Sequence, residues 1–251
     1  PNKGDDNIVI LDIDEKSLKE EGRWPWSRDK LALLMDKLFD KYGIAVVGFD
    51  VVFAEKDNSS GLKVLQELGQ NQLKNVSQFQ SVLAQIKPQL EYDNRFASKL
   101  KKRNIVLGYY FNGSKNTSGA LPSPVFAADS FKGRPIKFNH WSGYGGNLSE
   151  FQSSAASAGH FNPVVDFDGL VRRVPMIVEY GGAYYESLSL AVVRTVLGSP
   201  DIVPGYGTGS DDKDYAGLEW LGVGDFRIPV DSEVSALVPY RGGRATFKYV
   251  S

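Results

Sequence analysis

Carboxylates at strand ends, and an arginine beside two indoles, are the groups in this chain whose placement suits chemistry. Asp12 and Asp14 follow the apolar run Ile8-Val9-Ile10-Leu11, and Asp50 lies late in a second apolar run, Ile44 to Phe53. If both runs are parallel strands, three carboxylates arrive at one carboxyl edge of a sheet, where open α/β folds bind ligands. Such a trio suits a divalent cation such as Mg²⁺, or polarises a substrate, as a metal-dependent phosphoester hydrolase would. The same residues equally serve as helix caps or as partners of Arg28, Arg172 or Arg173. Trp24-Pro25-Trp26-Ser27-Arg28 sets two indoles around a proline, directly before a helix start. Rigid rings, free backbone N–H groups and a guanidinium together suit an anionic ligand. Packed inward, the same rings plug the sheet edge. Asp168-Gly169 turns the chain towards Arg172-Arg173, and neighbouring strand residues point to opposite faces, so only one arginine joins Asp168 at a common site. The candidate ligand-binding set is Asp12, Asp14, Trp24, Trp26, Arg28, Asp50, Asp168 and Arg172.

Other chemistries are excluded by composition. The chain has no cysteine, which removes disulfides, thiol catalysis and thiolate-held zinc or iron–sulfur. Its two histidines, His140 and His160, fall short of a three-imidazole metal site. Neither has a neighbouring catalytic motif, there is no GxSxG elbow, and His160 reads as a packed or loop histidine. With 29 Lys+Arg against 30 Asp+Glu there is no basic field to exchange for counterions, so nucleic acid is not an expected partner. Apolar residues at 42% rule out a disordered chain, and no run approaches the roughly 18 apolar residues of a membrane span. The chain starts at Pro1 without a charged and apolar leader, so it reads as a fragment from which any native start has been cut.

These groups need elements to position them. Ile8–Leu11 has strand length and reads as buried on both faces. From Ser27 as N-cap, Leu31, Leu34, Met35 and Leu38 form a helical stripe that ends at Gly43. Ile44–Phe53 is a second strand, and strand–helix–strand implies a right-handed parallel crossover. Residues 56–91 are polar and Gln-rich, with helical spacing at Val76, Phe79, Leu83 and Ile86 before Pro88 as a stop. A helix over Tyr92–Lys102 and a strand over Ile105–Tyr110 follow. Asn112–Asn147 reads as a long loop. Leu170–Tyr180 is a strand, Gly181-Gly182 a hairpin turn and Glu186–Leu197 a helix. Gly205-Tyr206-Gly207-Thr208-Gly209 lacks the GxGxxG spacing and reads as loop. Phe226–Val230 and Ala236–Tyr240 close the chain as short strands. The expected fold is α/β: a mixed, mainly parallel sheet flanked by helices with an added antiparallel hairpin, in one domain over 1–251 with a helical insertion at about 56–91.

Taken in order, several blocks resemble one family. Ile8–Asp14, Ser17-Leu18, Gly22–Arg28 and Val47–Phe53 are followed by Asp93 with Phe96-Ala97 and Leu100. Ile105–Gly108, Ala158–Asn162, Asp168–Arg173, Tyr185–Ala191 and Val238–Gly242 come next. Together they are similar to the CHASE type-2 domain, the cyclase/histidine-kinase-associated sensory extracellular domain. The WPWxR and DGLVRR blocks are its most specific points. The resemblance implies an extracytoplasmic, ligand- or stimulus-sensing domain of a bacterial inner-membrane receptor. It implies no catalytic residue and no cofactor in the chain itself. The implied output is a cytoplasmic adenylate or guanylate cyclase, with a histidine or Ser/Thr kinase as the alternative. The implied partners are a small-molecule or envelope stimulus, the membrane through flanking spans, and a second copy of the receptor. Two departures stand out. Residues 56–91 are longer than the family pattern, and the family continues past Phe247–Ser251 into a further strand and helix before three spans, so the sheet is expected to lack that strand.

Overall fold

The computed structural model describes residues 7–134, 136–207, 217–243 and 246–251. In chain order it builds β1 (Val9–Leu11), α1 (Glu15–Glu21), α2 (Arg28–Asp36) with a π-helical continuation over Lys37–Lys41, β2 (Val47–Phe49), α3 (Leu62–Gln70), α4 (Ser77–Leu90) and α5 (Tyr92–Leu100). There follow β3 (Ile105–Asn112), β4 (Thr117–Ser118), β5 (Asn139–Trp141), β6 (Gly143–Gly145), α6 (Ser149–Gln152), β7 (Ser157–His160), β8 (Val164–Val165), β9 (Val171–Pro175), β10 (Ile177–Tyr180) and β11 (Ala183–Glu186). Last come α7 (Leu188–Val196), β12 (Ile202–Tyr206), β13 (Leu218–Val223), β14 (Phe226–Pro229), β15 (Ser235–Leu237) and β16 (Lys248–Val250). The fold is α/β with mixed sheets.

The near-continuous apolar run of β3 makes it the central strand. β2 and β7 pair parallel to its first half, and β6 pairs antiparallel to Tyr110–Asn112. Both faces of such a strand must be covered, and α2, α5 and α7 supply the cover. Leu31, Ala32 and Met35 of α2 and Phe96, Ala97 and Leu100 of α5 enter one core cluster with Ile105, Leu107, Tyr109 and Phe111. Each fully buried large side chain there contributes about 1.5–3 kcal/mol. Phe49, Phe53, Phe96 and Phe151 lock this core edge to face, with centroids 5.2–6.2 Å apart. α7 lies directly on backbone: a Cβ on Gly159 of β7 would stand 2.5 Å from the Leu188 main chain, so only glycine permits this seating. A second core gathers Met176, Ile177, Leu190, Leu221, Val223 and Val234 beneath β12–β14.

Two buried asparagines complete the main sheet where strands stop. Asn147 accepts from Phe53 N–H at 2.8 Å and donates to the Gly108 carbonyl at 3.0 Å. Asn162 takes both the N–H and the C=O of Phe111, each at 2.8 Å. Side-chain amides thus replace a missing strand neighbour, so that buried backbone groups are not orphaned.

Several expectations need correction. β1 pairs in parallel with β16 instead of joining β2, and Val9 and Leu11 are exposed, so the first apolar run is not a doubly buried strand. Pro88 does not stop its helix. α4 runs on to Leu90, because in the last turn only one backbone bond is forfeited. The run 170–180 is two strands in different sheets, β9 with β8 and β15, and β10 with β5 and β11. The chain switches at Met176, whose N–H goes to Val234 and whose carbonyl accepts from Ser187. Within 112–147 lie β4, β5 and β6 rather than uninterrupted loop. Gly205 and Tyr206 belong to β12, while Thr208 and Gly209 lie outside the described residues. The helix from Ser27 ends as expected near Gly43, at φ 63°.

Candidate functional site

Trp24–Arg28 enters α2, and the first surprise is who caps that helix. Ser27 makes no side-chain cap; instead the Arg28 backbone N–H donates to Asp57 Oδ2 at 2.6 Å. A carboxylate from a distant segment thus satisfies an orphan donor and faces the positive end of the helix dipole. Asp57 in turn donates its own N–H to Asp93, at 3.1 and 3.3 Å to the two oxygens. Asp93 sits in the first turn of α5.

The Arg28 side chain crosses this chain of bonds inside the protein. The residue is 7% exposed, its guanidinium lies 4.7 Å from the Phe53 ring centroid and 5.9 Å from that of Phe151, and Nε stands 3.9 Å from Asp93. Its other contacts are long, 3.5 Å to the carbonyls of Trp26 and Glu55, and Nε has no hydrogen-bond partner. Burial works against the guanidinium charge, and Asp93 and Asp57 oppose that shift. Burial also lifts the Asp93 carboxyl above its ordinary value. The Asp57 carboxyl is held low: burial raises it, and hydrogen bonds from Ser59 and from the Arg28 backbone outweigh that. Next to them Lys56 pairs with Glu150 of α6 at 2.7 Å.

The arrangement is a latch. One guanidinium, held over aromatic rings, ties the α2 N-terminus to the 55–57 turn after β2 and to α5, with Phe151 of α6 below it. Trp24 and Trp26, just before Arg28 in the chain, meet edge to face with centroids 5.8 Å apart and planes at 69°, and both pack against the main core. An arginine stays protonated, so the group does no acid–base work; its contacts join the three segments.

The remaining candidates lie elsewhere. Asp14 is the N-cap of α1: Oδ1 accepts from Ser17 N at 2.8 Å and from the Ser17 and Ser251 hydroxyls at 2.9 Å, bonds that hold its carboxyl below the ordinary value. Asp12 uses its N–H to pair with Val250. Asp50 follows β2 with no ion pair among the described residues. Asp12, Asp14 and Asp50 do not gather: β1 and β2 are not neighbours, and no cluster of three metal-ligating side chains exists among the described residues. Arg28 therefore meets Asp57 and Asp93 rather than the strand-end trio. Asp168 and Arg172 do meet, in a bidentate pair of 2.7 and 2.9 Å with Asp166 added at 2.8 Å, but on an exposed turn. Arg173 points the other way, to Asp231 at 3.4 Å, as strand alternation requires. His160 is fully buried and packed against Phe111; burial pushes its pKa down to about 3, so the ring is neutral.

Asp57 and Asp93 as partners of Arg28 escape sequence reasoning because they lie 29 and 65 positions away in polar surroundings. Residues 1–251, the whole chain, match the CHASE2 domain family, whose members are sensory extracellular domains of receptors. No curated protein and no solved structure matches the chain. Among the described residues no helix is long and apolar enough to cross a membrane. From its first residue to its last, then, the chain belongs to the CHASE2 domain family.

Proposed function

We propose that the chain is the stimulus-sensing input of a bacterial receptor, held outside the cytoplasmic membrane, and that it governs a cytoplasmic adenylate or guanylate cyclase. The observation carrying this reading is the family match over all 251 residues. Two copies act together in the receptor, since tethering in one membrane supplies an effective concentration of about millimolar and allows weak pairing. Trp24, Trp26 and Arg28 form the responsive element: the latch joins three segments, so a stimulus that shifts one of them is passed to the core. Support comes from the long 3.5 Å contacts of the guanidinium, which leave it donor capacity that a better-placed acceptor would engage. Asp168 and Arg172, on their exposed turn, form a separate surface feature of the same domain.

The test is cyclic-nucleotide production by the intact receptor in membrane vesicles, compared with a receptor carrying Arg28→Lys, which keeps the charge and loses the planar fork. The cyclase reading expects nucleotide cyclisation, with the variant altering the stimulated rate more than receptor abundance. Phosphotransfer in place of cyclisation overturns the cyclase output in favour of a kinase. Unchanged regulation in the variant overturns the role given to Arg28.

A further inference from the structure

Away from the latch, a second polar group is sealed inside the protein where β11 runs into α7. Glu186 ends β11 and immediately precedes Ser187, whose hydroxyl caps α7 by accepting from Leu190 N–H. Glu186 is 4% exposed. Oε1 accepts from Arg194 Nη1 at 2.6 Å, and Oε2 is buried with no partner. Arg194 stands in the last turn of α7 and also donates from Nε to the Pro200 carbonyl at 2.8 Å. The ion pair therefore runs back along the helix from its end to the residue before its cap.

Two further elements present unpaired polar atoms. Tyr109 of β3 is wholly buried, its hydroxyl has no partner, and the Glu186 charge acts on it. His160 of β7, in register with Tyr109, is wholly buried with both ring nitrogens unpartnered, and its main chain bridges to Ser187. A carboxylate with a bare oxygen in the interior is costly. A proton on Oε2 removes the charge and turns a bare acceptor into a donor.

We propose that Glu186 is a proton-binding site that couples external pH to the seating of α7, so that the proton is a stimulus this domain reads. The proposal rests on the sensory reading above for its second half alone. Burial pushes the Glu186 pKa up to about 7, and Arg194 offsets this only in part. The other groups around it do not titrate there. His160 is neutral down to about pH 3, and burial raises the phenols of Tyr109 and Tyr185. From β10 the residue paired with Glu186 is the apolar Ile177. With the proton on, α7 sits tightly on Gly159; with it off, the buried charge loosens the helix.

Carbon-13 NMR of labelled glutamate carboxyls, in the 251-residue chain and in Glu186→Gln, identifies the Glu186 signal by its loss. Its midpoint should fall near neutrality. Hydrogen-exchange protection of Leu188–Val196, corrected for intrinsic rates, should rise at least threefold from pH 8 to pH 5.5 in the wild type. It should be pH-independent in the near-isosteric variant. A midpoint below pH 5 overturns the proton site, and a neutral midpoint with unchanged protection of α7 overturns the coupling. Both readouts are taken without the receptor. Output of the intact receptor that ignores pH while both hold would overturn the stimulus claim alone.

Discussion

Asn147→Ala strips the interior of two hydrogen bonds with one substitution. The Asn147 residue is 0% exposed and serves Phe53 N–H and the Gly108 carbonyl, both on buried residues. Each orphaned buried group costs about 1–3 kcal/mol. Two of them give about 2–6 kcal/mol, a large part of the roughly 5–15 kcal/mol that holds a domain together. For a protein of this size each kcal/mol is worth about 2–4 °C in Tm, so a central value of about 4 kcal/mol lowers Tm by about 8–16 °C. Urea denaturation followed by circular dichroism, beside thermal melts, measures it. Asn112→Ala is the control: at the end of β3, Asn112 Oδ1 accepts from Ser114 N–H at 3.0 Å and from the Ser114 hydroxyl at 2.6 Å, and Nδ2 donates to the Asn116 carbonyl at 3.4 Å, exposed bonds that water replaces. That change should stay within about 0.5 kcal/mol. If Asn147→Ala melts within about 1 kcal/mol of the wild type, or no worse than the control, buried amides are not what completes the sheet.

Arg28→Met keeps apolar bulk between Phe53 and Phe151 but leaves Asp93 and Asp57 without their cation, so a loss of about 3–5 kcal/mol is expected by denaturation. The loss should shrink in acid, because the Asp93 carboxyl, raised by burial, takes up its proton before an ordinary aspartate does; a loss that grows in acid contradicts the latch. Gly159→Ala drives a methyl to 2.5 Å from the Leu188 backbone and should cost about 1–3 kcal/mol. Gly169→Ala meets no atom within 4 Å and bears only the strain of φ +82°, about 1 kcal/mol, so the first variant should melt below the second. For Glu186 the folded pKa of about 7 exceeds the ordinary 4.5, so its contribution to stability is complete below about pH 4.5 and is lost as pH rises through 7. Wild-type Tm minus that of Glu186→Gln should therefore fall between pH 5 and pH 8; a rise reverses the sign of the coupling.

Local pattern was enough for the elements whose own residues decide them. Leu31, Leu34 and Met35 wrote α2 into the sequence, the apolar run from Ile105 wrote β3, and Gly181-Gly182 wrote the turn between β10 and β11. Pairing was less legible. β1 is a short apolar run that any edge would accept, and its partner lies more than two hundred positions away at Lys248–Val250. α1 was hidden because a seven-residue helix with Leu18 as its one large apolar residue leaves no stripe; its signal was the Asp14–Ser17 cap spacing. In the candidate site, the segment Trp24–Arg28 was recognisable from its composition, whereas its acidic partners were not. Asp57 looks like an ordinary surface carboxylate, and Asp93, although part of a block that carries the resemblance, shows no sign of its partner until the fold brings both to the α2 N-terminus. Glu186 gave no signal, because as the expected first residue of a helix over 186–197 a carboxylate reads as an ordinary exposed N-terminal residue, whereas it ends β11; Tyr109 reads as plain core of an apolar strand.

The most direct test of the central claim is the side of the membrane on which the domain lies. Alkaline phosphatase and a fluorescent protein that matures only in the cytoplasm are each fused after Ser251 within the native receptor and expressed in bacterial cells. Active phosphatase with a dark fluorescent fusion is the result expected of an extracytoplasmic sensory domain. Inactive phosphatase with a bright fluorescent fusion would contradict it.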